Sequence, residues 1–379
     1  MIGIDIEQFA RDPYGSGIQR VLQYLAIKWP ESIDAHFLVP DPDRDGVLVQ
    51  LEAPAAADIL TLPFTGIAAN HELPEFVHAA IRNSGSPRIS SAGIADHYTH
   101  WLLPEVSYLP SVLERFEQAR STMRTGIIGH DALPLTDPAN YRFRPGSAAW
   151  VSEYFRMMAV ADCAVCISDY TREVILNRLR RSPHLLTTVA HPGGDHISVA
   201  QGAPPKRDRF IRLGGMEARK QPVEILDAFL AAVDNGLKAD LVFVGHRSAS
   251  NEEINRRIDA ACRDFAQVTW NQEASDREVA DLVRTSSAFL AFGTEGYGIP
   301  ALEAIRLGAP VLYDGIQPAA HIMEGRGARR LPASTPEELQ QVFFEAASVL
   351  PVLREQLDPD AVPTWTDFAR SVAHALIEL

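Results

Sequence analysis

AFLAFGTEGYGIPALEAIRLGAPVL, from Ala288 to Leu312, reads as strand, glycine loop, helix and strand within 25 residues. Ala288 to Phe292 is a short apolar run, suited to a strand of a parallel sheet buried on both faces. Gly293, Gly296 and Gly298 allow turns and a close approach of backbone to a ligand that a Cβ would block. Pro300 suits the first turn of a helix, where its missing N–H costs nothing. The helix continues through Ala301 to Leu307, Gly308 ends it, and Val311 opens the next strand.

Two carboxylates punctuate the segment, Glu295 in the loop and Glu303, expected in the first helical turn. Free N–H groups and the helix dipole make a loop entering a helix an anion site. Carboxylates do not bind phosphate, but they accept well from sugar and ribose hydroxyls. The segment therefore suits a phosphorylated sugar, with amides for phosphate and acids for hydroxyls. The plainer alternative is an acid that favours the helix dipole and a loop acid in water.

A second string, Gly214-Gly215-Met-Glu217-Ala-Arg219-Lys220-Gln-Pro222, follows the strand Phe210 to Leu213. Two adjacent cations before a helix N-terminus can neutralise a diphosphate, Arg bidentately and Lys as a point charge. The alternative is a solvated basic turn. In the first half, Thr125 to Gly129 is a strand ending in His130 and Asp131. Such a strand end is where open α/β sheets bind ligands, although a turn with an Asx cap also fits.

Glu295-Gly-Tyr-Gly-Ile-Pro-Ala-Leu-Glu303 resembles the E-x7-E signature of retaining GT-B glycosyltransferases, specifically the large family 4 that includes many bacterial mannosyltransferases. The Gly214 to Pro222 string is similar to that family's G-x-x-E-P-R-K-N, with Ala218 in place of the usual Pro. His130-Asp131 resembles its HD-x-x-P strand end, and Gly15-Ser16-Gly17 its first glycine loop. The turn Pro192-Gly-Gly-Asp195 has a slightly different spacing from the family's. The likeness covers the second half densely and the first from about residue 125.

The resemblance implies an α/β fold of GT-B type, two facing Rossmann-like domains with a central cleft. It implies transfer of a hexose from a nucleoside-diphosphate sugar to a hydroxyl acceptor, with GDP-mannose favoured as donor and no cofactor. Arg219 and Lys220 would stabilise the departing diphosphate, Glu303 would hold the ribose, and Glu295 the sugar hydroxyls. His130 would meet the sugar from the first domain. Gly15, Gly17, Gly215, Gly296, Tyr297, Gly298 and Ile299 would line the donor, and Asp131 and Arg20 would lie on the acceptor side. The leaving phosphate would receive the acceptor proton, so no general base is named. An epimerase or an inverting transferase on this fold, or a non-catalytic sugar-nucleotide-binding module, are the rival readings.

The chain has 379 residues, 46% hydrophobic and 22% charged, with a net charge of −14. That is room for two ordinary domains. The acidity argues against nucleic-acid binding and against whole-surface attraction to anionic lipid, though a local peripheral membrane contact stays compatible. Cys163, Cys166 and Cys262 make no disulfide framework, which suggests a reducing, cytoplasmic setting. Cys163 and Cys166 form C-x-x-C inside an apolar run and read as buried strand. The opening MIGIDIEQF lacks the character of a signal peptide, and no apolar run spans a membrane.

Asp41-Pro-Asp43 and Asp43-Arg-Asp45 sit without a glycine cradle, read as solvated, and suggest no metal site. The basic cluster Arg178, Arg180, Arg181 and His184 reads as a solvated helix end, with contact to a phosphate-bearing acceptor or a membrane face as the alternative. Residues 41–68 resist placement. The polar, Pro-rich stretch 201–209 marks a domain boundary. The first domain is then 1–200, rejoined by a helix over 364–379, and the second is 201–363.

Overall fold

The structure, a computed structural model, describes residues 1–65, 71–138, 148–197 and 208–379, without the side chains of 148 and 150. The expected loop at Tyr141 to Gly146 and most of the linker at 201–209 lie outside these. Two compact units result: Met1–Pro192 with Thr364–Leu379, and Gly193–Pro363.

The first unit holds an eight-stranded sheet among its described residues. Its strands are β1 (Ile2–Asp5), β2 (Ala35–Pro40), β3 (Val47–Leu51), β4 (Arg88–Ser90), β5 (His100–Leu103), β6 (Arg124–Gly129), β7 (Cys163–Cys166) and β8 (Leu186–Val189). The order is β4-β3-β2-β1-β5-β6-β7-β8. All pairs are parallel except β2 with β3 and β3 with β4, which form an antiparallel edge. Segment 41–68, unplaced from sequence, supplies β3 and the helix Ala53–Thr61. Parallel strands buried on both faces are nearly all apolar, as β6 and β7 are.

Trp101, Phe116 and Tyr154 centre the core of this unit. The closing helix Trp365–Ile377 packs here too. Trp365 stacks on Tyr24 with ring centroids 4.9 Å apart, and Leu376 fills the space a side chain at Gly126 would need. Both C-x-x-C cysteines are buried in β7, and burial pushes their thiols up to about 12.

The second unit is built on six parallel strands among its described residues. They are β9 (Asp208–Leu213), β10 (Ala239–Val244), β11 (Val268–Asn271), β12 (Ala288–Ala291), β13 (Val311–Tyr313) and β14 (Ala328–Arg330). Their order is β11-β10-β9-β12-β13-β14, a doubly wound sheet whose direction of winding reverses between β9 and β12. Helix Pro222–Asp234 packs on helix Pro336–Glu355, where Phe343 meets Phe210 and Phe229 edge to face at 5.0 and 5.5 Å. That last helix starts on a capping box at Thr335 and Glu338 and carries Pro351 inside it.

The second unit begins at Gly193 rather than at 201. Gly194 N donates to Pro363 O at 3.0 Å, and a Cβ on Gly194 would lie 2.7 Å from that of Leu302. The PGGD turn is thus part of the second unit's packing, except for Pro192, which closes the first.

Candidate functional site

At the reversal between β9 and β12, two loops meet outside the carboxyl ends of the strands, the usual ligand position in such sheets. The first carries Gly214 to Gln221 and the second Gly293 to Gly298. Thr294 N donates to Arg219 O at 2.8 Å, and Glu295 N to Ile316 O at 2.8 Å. Gly293 adopts φ +86°, and a Cβ there would strike the carbonyl of Arg219, so only glycine lets the loops close on each other. Gln221, at φ +54°, is the one non-glycine residue with positive φ among the described residues. Backbone strain of this kind clusters at functional sites, and here it turns the chain sharply after Lys220.

The side chains converge on Glu295. Arg219 Nη1 donates to Glu295 Oε2 at 2.7 Å, and Lys220 Nζ lies 2.9 Å from Oε1. Arg219 also donates through Nε to Glu217 Oε2 at 2.8 Å and through Nη1 to Thr294 O at 2.7 Å. Burial opposes ionisation of Glu295, but Lys220, Arg219 and Arg212 outweigh it and hold the carboxyl down to about 2. Glu295, expected to meet sugar hydroxyls, is therefore fully engaged by the two cations expected to grip a diphosphate.

The other predicted residues of this unit fall into two groups. Gly298 is the left-handed N-cap of helix Ile299–Arg306, on the rim of a small cavity shared with Arg212, Glu295 and Gln317. Tyr297 and Ile299 are buried, so they pack the loop from within, and Gly296 is buried beside them. Gly215 approaches Glu217 only loosely. It is Gly214 whose missing Cβ makes room for Lys220 Nζ, which would lie 2.9 Å from it. Glu303 falls in the second turn of its helix, not the first, beyond the reach of the dipole explanation. Its Oε1 sits 2.8 Å from Nε2 of the buried His196. His196 and Arg212 were not singled out from sequence. A histidine near a turn and an arginine inside an apolar strand carry no local pattern.

The first unit brings its predicted residues to one end of its own sheet. Gly15 lies at φ +66° in a loop held by Gln19, whose Oε1 accepts from Tyr14 N at 2.9 Å and Gly15 N at 3.0 Å. Gln19 is thus the residue that shapes the loop. Gly17 opens helix Gly17–Ile27, which Ser16 caps, and the space around it is open. Arg20 lies over the Phe64 ring at 4.5 Å. Asp131 accepts from Leu133 N at 3.1 Å, which is the Asx-cap alternative.

His130 is 1% exposed, with Nε2 2.6 Å from Pro104 O. A carbonyl only accepts, so Nε2 carries the proton and Nδ1 the lone pair. Nδ1 is buried without a partner in the described structure, and burial holds the ring neutral, down to about 4.

Of the aspartates near residue 43, Asp41 departs from the solvated reading, whereas Asp43 and Asp45 are exposed as expected. Asp41 is buried, accepts from Asp43 N at 2.9 Å and pairs with Arg88 at 3.1 Å, while Asp43 pairs with Arg82. In the basic cluster, Arg181 Nη1 donates to Leu176 O at 2.7 Å at the end of helix Asp169–Arg178.

Glu105, just beyond β5, is 3% exposed and leaves one carboxyl oxygen unpartnered. Burial raises it to about 8, with hydrogen bonds from Gln19 and Phe9 N opposing. Its folded value lies above its unfolded one, so its contribution to stability is full below about 4.5 and is lost as pH rises through 8. Between about pH 5.5 and 7 the unfolded carboxyl is ionised while the folded one keeps its proton, so the wild type should lose stability steadily with rising pH from this group. Urea unfolding of Glu105→Gln should lack that slope; equal slopes in both proteins would contradict it.

Residues 195–331 match the family model described as glycosyl transferases group 1. The chain is 27% identical over 212 residues to the serotype-specific mannosyltransferase WbdA of Escherichia coli, covering 49% of this chain and 25% of that protein. It thus spans about a quarter of the length of the curated relatives it matches. The fold is similar to that of HepE from Anabaena, solved with UDP-glucose, at TM-score 0.65 and 13% identity over 100% of this chain and 99% of the other. It is also similar to the apo lipopolysaccharide outer core galactosyltransferase WaaB, at TM-score 0.60 and 14% identity over 100% and 99%. The fold is GT-B, and residues 195–331 carry a group 1 domain. The likeness to group 1 glycosyl transferases is confined to residues 195–331, and the likeness over the whole chain is one of fold.

Proposed function

We propose that the protein is a retaining glycosyltransferase of family 4 that moves a hexose, with mannose favoured, from a nucleoside-diphosphate sugar to a hydroxyl acceptor. The observation that carries this reading is the Arg219–Lys220–Glu295 cluster at the sheet reversal. Two cations outside the carboxyl ends of the strands suit a diphosphate leaving group, because preorganised charge is worth most where charge develops. The E-x7-E spacing from Glu295 to Glu303 supports retention, and the WbdA relative, a mannosyltransferase by name, supports mannose. GDP-mannose is the favoured donor, and UDP- and dTDP-sugars are the alternatives. With cations facing the leaving group, catalysis is positional and electrostatic and proceeds without cofactor or divalent metal. No helix among the described residues is long and apolar enough to cross a membrane. The reading places the enzyme in the cytoplasm, on glycans, glycolipids or small hydroxyl acceptors.

A thermal-shift screen of nucleotide sugars in EDTA tests this. A true donor at ~100 times its dissociation constant adds about 2.7 kcal/mol of stability. The expected result is a shift with GDP-mannose and, with acceptor, a product of unchanged anomeric configuration. Inverted product, or activity restored only by magnesium or manganese, would overturn the mechanism. A shift without transfer or donor hydrolysis would leave a binding module instead.

A further inference from the structure

The donor site of the second unit already contains an anion. Both oxygens of Glu295 are capped, Oε2 by Arg219 at 2.7 Å and Oε1 by Lys220 at 2.9 Å. These side chains are only 12 to 19% exposed, so the pairs are not loose surface contacts. Beneath them lies Arg212, the penultimate residue of β9, 4% exposed. An arginine in the middle of a buried sheet is costly unless its charge is compensated. Its Nη1 donates to Leu213 O, but its Nε is buried and has no hydrogen-bond partner in the described structure. Arg212 and Glu295 line one small cavity with Gln317 and Gly298.

Burial lowers the Arg212 guanidinium, and the charge of Glu295 is the first influence opposing that. The groups charged around Glu295 are therefore Arg212 from β9 and Glu217, Arg219 and Lys220 from the following turn. Three cations face two carboxylates, and only Arg212 has no direct bond to either.

From this arrangement we propose that Glu295 is an internal counter-anion occupying the diphosphate site, and that Arg212 is the positioning residue that holds Glu295 when phosphates take Arg219 and Lys220. The inference rests on the glycosyltransferase reading for its substrate. It adds a competition: a nucleoside diphosphate must displace a carboxylate, and that displacement turns Glu295 from an ion-pair partner into a free acceptor for sugar hydroxyls. Arg212 keeps that freed carboxylate ionised and in register. The same competition speeds release of the diphosphate after transfer, because Glu295 returns to the cations.

Inorganic pyrophosphate tests the competition without any sugar nucleotide. Calorimetry in EDTA should show Glu295→Gln binding pyrophosphate at least ~10-fold tighter than wild type, about 1.4 kcal/mol. Glu295→Asp, which keeps the charge, should bind as weakly as wild type. Glutamine binding no tighter than glutamate, or absence of binding in all three proteins, would overturn the proposal. The second arm is Arg212→Met, read through the pH profile of transfer. Its acid limb should move up by at least one pH unit with the donor KM changed less than kcat, and Arg212→Lys should restore the wild-type limb. A Met variant with an unshifted profile would remove Arg212 from the role. Should that variant not fold, the pyrophosphate comparison decides. Tight pyrophosphate binding in Glu295→Gln with no sugar nucleotide bound by the wild type would keep the competition and discard the transferase reading.

Discussion

Arg219→Ala and Lys220→Ala each lower sugar transfer by about 100-fold or more, the cost of removing one charge aimed at a developing anion. The loss falls on kcat/KM and, if the contact strengthens in the transition state, on kcat as well. Arg219 donates to Glu217, Thr294 O and Glu295 together, so its loss also loosens the loop from Thr294 to Gly298. Lys220 makes one such contact, to Glu295, and lies where Gly214 leaves it space. The two variants should therefore differ: Arg219→Ala lowers thermal stability measurably, and Lys220→Ala leaves it nearly unchanged. Because both cations share Glu295, their double variant should lose less than the product of the single losses. Near-normal initial rates in both single variants would detach the cluster from catalysis.

The second unit was more legible in the sequence than the first, for a physical reason. Its strands β9, β10 and β12 are short runs followed by turns of glycine and charged residues, and each helix opens with its own signal. Pro222 and Pro300 stand in first turns, and Ser275 and Thr335 make capping boxes. Such signals are local, so a string of residues carries them. The antiparallel edge escaped because β4 pairs with β3 from far along the chain and both strands carry polar residues, Arg88 and Gln50. β14 is three residues long with two exposed arginines, and nothing in its composition marks a strand.

At the site, motif residues were legible and their partners were not. Glu295 and Lys220 lie 75 positions apart in sequence, and only the closure of Gly293 on Arg219 O brings them together. His196 reaches Glu303 across 107 positions. Gly215 was credited where Gly214 does the work, because adjacent glycines are indistinguishable until backbone angles are known.

His130→Ala should keep affinity for GDP within a few-fold of wild type and lose most of its turnover, on the order of 100-fold. The predicted nucleotide contacts, Arg219, Lys220 and Glu303, all belong to Gly193–Pro363, whereas His130 belongs to the other unit. Its proton is committed to Pro104 O at 2.6 Å, which leaves Nδ1 able only to accept, as a sugar hydroxyl would require. Burial holds the ring down to about 4, so it stays neutral from pH 6 to 8 and should put no limb near 6.5 on the rate profile. Below pH 6.5 the sign reverses in stability. The folded state resists a proton that the unfolded state binds, so the contribution is full above 6.5 and is lost as pH falls through 4. Calorimetry with GDP beside initial rates on the same protein separates the outcomes. Wild-type turnover in the variant would make His130 only a residue that ties the end of β6 to Pro104. Lost GDP binding would show that the two units do not divide nucleotide and sugar as their residues suggest.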